Sequence, residues 1–464
     1  MSESKLNEDS SNSILAPKDR FKVVFLSFAF LGCCTLLPWN FFCTATMYFQ
    51  YRLRTDKNQT TIDYNNLNSK QISFPNQMAI YSMVPLALTN IFNLFIKDKI
   101  NASTRFIFGF STVAAMFILT VILVALEVSD TAFLVITFIS IILINVGCAI
   151  FQSTLMGLLA MLPGKYIGIF LVGQSIAGIL TAVTSIIVSP LNVSMLGQGG
   201  IFFSIPILFS LLAFVMYYMI TKSNFFIYYM RKANLEPSFF KIRKIDEKGI
   251  ENPPLTTGEN SNDETPLLKE SLMKKSLTYM REVIFHGVGV FLVLTVTLAI
   301  FPALLINITP INYNPNDPWT QTYYKLVVVF LLYNVSEYIG RVLATRFQYP
   351  RVNRPKLLLA LTASRIVFII LILFFNQAGK NHFPAFFVHD AYLIVYMILF
   401  GFTNGYLMNL CFMYAPQCCS QGNQEGAGVA MCIYMSFGLG AGVSLINYFV
   451  LECLERLPFM PVTE

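Results

Sequence analysis

Apolar residues in this chain fall into long unbroken runs separated by short polar segments, not into the stripes of a surface helix or the alternation of a strand. Eleven runs, at about 22–45, 74–96, 106–126, 132–155, 167–188, 200–220, 283–306, 323–345, 357–375, 391–413 and 426–450, are each long enough to cross a bilayer as a helix. A helix rises about 1.5 Å per residue, so about twenty residues span the hydrocarbon. The pattern predicts an all-α polytopic membrane protein. One long polar stretch, rich in Lys, Asn, Glu, Pro and Ser, separates the first six runs from the last five. The expected divisions are a tail 1–20, a six-helix bundle 21–221, a largely disordered linker 222–281, a five-helix bundle 282–450 and a tail 451–464.

Composition agrees. Of 464 residues, 55% are hydrophobic and 12% charged, about half the charged share of a soluble domain. Residues 1–19 lack the apolar core and cleavage site of a removable leader, so the first run is expected to stay as an anchor. With the N-terminus and the long linker inside, roughly 23 Lys and Arg fall on the cytoplasmic side and roughly 7 outside, as the positive-inside rule requires. Eleven spans then put the C-terminus outside. The net charge of +7 is accounted for by this orientation and by the anionic inner leaflet, not by nucleic acid. Nine cysteines follow no paired or ligand spacing, and His286, His382 and His389 are scattered, so neither a metal nor a cofactor is expected.

Polar residues inside the runs carry the candidate chemistry. Span eight holds Asn334, Glu337 and Arg341, and each charge at the centre of a spanning helix costs about 2.5–3.5 kcal/mol on insertion scales. Glu337 and Arg341 are four apart with the acid first, which stacks them on one face. That face reads as one wall of a substrate pathway, or as an ion pair that only sets helix packing. In span one, Pro38 precedes Trp39 and Asn40, and a proline kink there turns an aromatic face and an amide towards a cavity; an interfacial tryptophan is the other reading. Span two carries Met83 and Pro85, and span four carries Asn145 and Gln152, read as interhelical hydrogen-bonding groups. Gln174 lies among the small residues Gly173, Ser175, Ala177 and Gly178 of span five, where it reads as a substrate contact or a clasp between helices. Arg365 in span nine needs a partner, for which Glu337 and Glu425 are the candidates, unless it snorkels to the interface. Arg365 and Glu425 are therefore placed as gating or packing residues. Asn58-Gln59-Thr60 and Asn307-Ile308-Thr309 offer glycosylation sites at Asn58 and Asn307 in loops expected outside. Asp263-Glu264-Thr265-Pro266-Leu267-Leu268 looks like an acidic dileucine signal, which would engage a sorting adaptor through Leu267 and Leu268.

Taken together, these segments resemble the equilibrative nucleoside transporters. The likeness runs through Leu37-Pro38-Trp39-Asn40-Phe41-Phe42, Leu162-Pro163, Gly173-Gln174-Ser175-Ile176-Ala177-Gly178, Gly340-Arg341, Phe402-Thr403-Asn404-Gly405-Tyr406-Leu407 and Glu425-Gly426-Ala427-Gly428, in order along nearly the whole chain. It implies eleven helices in a 6+5 two-bundle arrangement resembling the major facilitator fold, and facilitated, bidirectional movement of nucleosides such as adenosine and uridine. By position, Trp39 would stack the base with Asn40 supporting it, and Gln174 would hydrogen-bond the nucleoside. Glu337 and Arg341 would lie near the ribose, while Met83 and Asn334 match cavity-lining positions. The family usually reads Asp-Trp-Leu-Gly-Arg in span eight; here Glu337-Tyr338-Ile339-Gly340-Arg341 lengthens the acid by one methylene.

A uniporter of nucleosides, and of nucleobases if the pocket admits them, is therefore expected, without a covalent step or fuel. The rival of the same fold is a proton-linked nucleoside or organic-cation carrier, in which Glu337 takes the proton or cation. An enzyme would need paired acids, a metal cluster or an activated nucleophile, and none is evident in the sequence. The resemblance favours the plasma membrane, and the dileucine-like run permits endosomes or lysosomes.

Overall fold

A computed structural model describes residues 17–55, 68–126, 128–190, 194–233, 266–302, 304–305, 308–314, 317–376, 385–420 and 422–443. The helices are α1 (Val23–Thr44), α2 (Thr46–Arg52), α3 (Ser69–Ile96), α4 (Ala102–Ala125), α5 (Asp130–Ala160), α6 (Lys165–Val188), α7 (Met195–Lys222), α8 (Asn224–Lys232), α9 (Pro266–Glu282), α10 (Ile284–Ile300), α11 (Leu332–Arg346), α12 (Pro355–Ala363), α13 (Ile366–Ile372), α14 (Asp390–Tyr414) and α15 (Gln424–Ala441). Wide π-type turns at Trp319–Tyr323 and Lys325–Leu331 lead into α11. Among the described residues nine helices are long and apolar enough to cross a membrane, or ten if Met273–Glu282 and Ile284–Ile300, bent by 73°, form one span. The protein is an all-α, multi-pass membrane protein. Asn58, Asn307, residues 444–450 and both tail ends lie outside the described residues.

Two groups of helices make up the body. In the first, α1 packs on α6 and α7, α5 on α3 and α4, and α4 on α7; in the second, α11 packs on α14, and α10 on α12, α14 and α15. They meet where α6 lies against α11 and α14, and where α15 lies against α3 and α5. Leucines and phenylalanines face outward as well as inward: Leu88 is 62% exposed and Leu208 57%. An apolar exterior is what hydrocarbon demands, since every backbone polar group is already used inside its helix.

Glycines let the helices cross closely enough for polar side chains to meet. A methyl on Gly32 would strike the Phe170 carbonyl and one on Gly173 the Ala29 carbonyl, so α1 and α6 touch backbone to backbone. At the crossing of α11 with α14, a methyl on Gly340 would strike the Phe402 carbonyl and one on Gly405 the Glu337 carbonyl.

The structure differs from the sequence reading at several points. Arg105 lies inside α4, where it is 3% exposed and paired with Glu425 at 3.2 Å. The linker forms a helix at each end, α8 and α9, with residues 234–265 outside the described set. The backbone of Leu267 and Leu268 belongs to α9, while Asp263, Glu264 and Thr265 are not described. Span nine breaks at Ser364 and Arg365 into α12 and α13. Helix α1 continues through Pro38.

Candidate functional site

Glu337 and Arg341 face each other on consecutive turns of α11, with Nη2 of Arg341 donating to Oε1 of Glu337 at 2.7 Å. The spacing of four and the order of acid before base make that contact local. Packing then buries it: Glu337 is 7% exposed and Arg341 2%. Two buried charges in a low-dielectric interior are tolerated better the more of their donors and acceptors find partners, and here both terminal nitrogens of Arg341 do while its Nε has none among the described residues. Nη1 of Arg341 donates across the seam to the Leu171 carbonyl of α6 and to Oε1 of Gln174 at 3.3 Å. Nε2 of Gln174 donates to Oγ1 of Thr35 on α1 at 3.0 Å. One guanidinium fork therefore joins α11 to α6, and the glutamine carries the connection to α1.

The seam between α6 and α11 runs antiparallel. Gly168 sits against Thr345, Leu171 and Gln174 against Arg341, and Gly178 against Oδ1 of Asn334. As α6 climbs away from the basic end, α11 descends towards it, which places residues on matching turns. Asn334 donates its Nδ2 to the Phe330 carbonyl of its own helix at 2.8 Å, leaving its oxygen against Gly178.

On the other side of α11 the network continues into the second helix group. Nδ2 of Asn404 on α14 donates to the same Oε1 of Glu337 at 2.6 Å. Oδ1 of Asn404 accepts from Oγ1 of Thr297 on α10 at 2.7 Å, and Thr297 accepts from Nη2 of Arg365 at 2.9 Å. Arg365 is thus a member of the network, but its partners differ from those expected. It donates to Thr297, to the Phe400 carbonyl at 3.1 Å and to the Thr403 hydroxyl, not to Glu337 or Glu425. Glu425 is taken by Arg105, because α15 packs on α3 and α5 while α13 lies beside α10. At 1% exposed, Arg365 does not snorkel.

Trp39 is half-buried in a small cluster with Met83, Leu86, Ala149 and Leu439. It sits one turn beyond Thr35 on the same face of α1, so the indole flanks the network without a hydrogen bond into it. Asn40 donates to the Leu36 carbonyl of its own helix at 3.0 Å. Asn145 likewise donates to the Ile141 carbonyl of its own helix at 2.8 Å, and Gln152 reaches Sδ of Met435 on α15 at 3.5 Å. Sequence reading missed Thr35, Thr297 and the role of Asn404. Asn404 lies within Phe402-Thr403-Asn404-Gly405-Tyr406-Leu407, one of the segments of the family likeness, and Thr35 lies one turn before the marked tryptophan. Thr297 had no local signal.

The arrangement supplies hydrogen-bond donors and acceptors, a carboxylate with one oxygen engaged, and an aromatic face. Among the described residues no three His, Cys, Asp or Glu side chains gather as a metal site would require. A buried polar network between two helix groups, flanked by an aromatic ring, has the donors and acceptors that a neutral solute with polar edges and an aromatic ring would need.

Comparison with known proteins bears on which solute. A family model described as "Nucleoside transporter" matches residues 138–451. Equilibrative nucleoside transporter 2 of Rattus norvegicus is 32% identical over 450 residues, covering 94% of this chain and 98% of that protein. Equilibrative nucleoside transporter 1 of Rattus norvegicus is 30% identical over 447 residues, covering 92% and 97%. Among solved structures, the Major Facilitator Superfamily transporter FucP in the outward conformation shares the fold, with a TM-score of 0.56 at 12% identity over 94% of this chain and 93% of FucP.

Proposed function

Because the chain belongs to the equilibrative nucleoside transporter family, we propose that it carries nucleosides across a membrane by facilitated, bidirectional alternating access. The observation that carries this reading is the buried network of Thr35, Gln174, Arg341, Glu337 and Asn404, which links the two helix groups across the α6–α11 seam. A carrier needs groups that both bind the solute and couple its presence to the contact between halves. In this reading Trp39 covers the base, Gln174 meets its polar edge, and Glu337 and Arg341 meet the sugar. Those polar edges would be costly to bury unpaired.

The cross-seam bonds of Arg341 and Gln174 are made again on each cycle. The contacts Arg105–Glu425, Gly168–Thr345 and Gly164–Gln417 close the basic end, which corresponds to the cytoplasmic side by the charge asymmetry. In this reading the solute enters from the opposite side. We further propose eleven spans in a 6+5 arrangement, a cytoplasmic N-terminus and residence in the plasma membrane.

Uptake of radiolabelled uridine and adenosine into proteoliposomes, with and without an imposed pH gradient, tests the function. Saturable flux down the nucleoside gradient, indifferent to the pH gradient, is the expected result. Flux that follows the proton gradient would replace it with the proton-linked carrier, and no nucleoside flux would overturn it.

A further inference from the structure

Arg365 is a fully buried cation that the transport cycle above does not use. It is 1% exposed, at the break between α12 and α13, and among the described residues no carboxylate lies within ion-pair distance of it. Such a charge in hydrocarbon is retained only for what it does. The nearest carboxylate along its hydrogen bonds is that of Glu337, reached through Thr297 and then Asn404.

Each link in that path has a direction. Arg365 has only protons to give, so it occupies a lone pair of Thr297 Oγ1. The single proton of Thr297 has two acceptors at 2.7 Å, the Val293 carbonyl on its own helix and Oδ1 of Asn404. The carboxylate of Glu337, an acceptor only, takes Nδ2 of Asn404 and turns the amide oxygen to Thr297, where the guanidinium on Oγ1 polarises the hydroxyl proton towards that oxygen. A flipped amide would set its oxygen against the carboxylate. The consequence falls on Glu337: Oε1 accepts from both Asn404 and Arg341, whereas Oε2 accepts from no donor among the described residues.

We propose that Arg365 is a positioning residue, acting through Thr297 and Asn404 to consume Oε1 of Glu337 and leave Oε2 as the acceptor for a sugar hydroxyl. The assignment rests on the nucleoside reading of the site. It makes the relay a determinant of discrimination between ribonucleosides and their deoxy analogues. Removing one end of a charge-assisted hydrogen bond changes affinity by about tenfold or more.

The test compares half-saturating concentrations of uridine and 2′,3′-dideoxyuridine for wild type, Arg365→Gln, Arg365→Lys and Thr297→Val in proteoliposomes, at matched protein content. Wild type should prefer uridine. Arg365→Gln and Thr297→Val should raise the uridine value about tenfold with little change for the dideoxy analogue. The double variant should be no worse than either single one, and Arg365→Lys should recover part of the preference. Thr297→Val is nearly isosteric and keeps the assay informative if Arg365→Gln fails to fold. Equal losses for both solutes, or a Thr297→Val protein with the wild-type ratio, overturn the relay. Absence of uridine transport by wild type would instead overturn the nucleoside reading.

Discussion

Arg105 and Glu425 are separated by 320 positions in the chain and 3.2 Å in space. Arg105 begins α4 in the first helix group and Glu425 begins α15 in the second, so one ion pair spans the basic end. Arg105 also donates to the Ile100 carbonyl at 3.1 Å and to Oδ1 of Asn93 at 3.4 Å, which fixes its head for the carboxylate. Glu425→Ala would leave the guanidinium buried without its counter-charge, at a cost of about 3–5 kcal/mol. The expected result is a basic end that opens more readily. An Ala160→Cys reporter, sealed beside Gly428 in wild type, should alkylate faster from that side in the variant. Unchanged labelling would remove the pair from the gate.

The guanidinium fork at Arg341 contacts α6 through one nitrogen and Glu337 through the other. A lysine has a single charged head and cannot hold both sides in plane. Arg341→Lys should therefore lose most saturable uridine uptake, close to Arg341→Ala, while both proteins still reach the membrane. Uptake of the lysine variant within about twofold of wild type would contradict the two-sided role.

Gln174 occupies both ends of its amide, with Thr35 at one and Arg341 at the other. Gln174→Ala should raise the nucleoside concentration for half-maximal flux about tenfold, the effect of one or two lost hydrogen bonds. Thr35→Val, which removes only the partner, should move it in the same direction by less. A larger effect at Thr35 would reverse the order of roles.

Close crossing of α11 and α14 depends on glycine. Gly405→Ala drives a methyl into the Glu337 carbonyl, a backbone atom that cannot swing aside, and overpacking of this kind costs about 1–3 kcal/mol. Gly440→Ala meets nothing within 4 Å and serves as the control. Thermal unfolding in detergent should fall for the first and hold for the second.

Helix α9 ties both groups together through carboxylates that titrate. Lys275 donates to Asp98 at 3.0 Å and Lys97 to Asp98 at 2.7 Å, while Glu282 accepts from Ser420 at 2.8 Å and from Asn423 at 3.1 Å. Burial works to raise both carboxyls, but the hydrogen bonds from these partners, with the lysine charges at Asp98, outweigh it and hold each below its usual range. Groups depressed in this way stabilise docking above their ordinary values and lose it as pH falls through the depressed ones. A spin label on the exposed Leu277 of α9 should sit at a fixed distance from one on α15 at neutral pH. That distance should broaden in acid, and Asp98→Asn should broaden it at neutral pH as well.

Much of this protein is legible from local features of the chain. Long apolar runs dictate helices whatever their neighbours, because a backbone in hydrocarbon has no other partner for its polar groups. The pairing of Glu337 with Arg341 needs only helical spacing, and the charges of Arg365 and Glu425 mark themselves by their cost. Family likeness, carried by segments from Leu37 to Gly428, pointed to the class of solute.

Partner choice was decided elsewhere. Glu425 and Arg365 are both charges in apolar surroundings, yet α15 docks on α3 and α5 while α13 docks on α10, so one finds Arg105 and the other finds Thr297. Thr297 is an unremarkable threonine in an apolar run until α14 brings Asn404 beside it. Spacing along one helix fixes what lies a turn away. What lies across a crossing depends on which backbones approach, and that is set by glycine contacts and packing over the whole bundle.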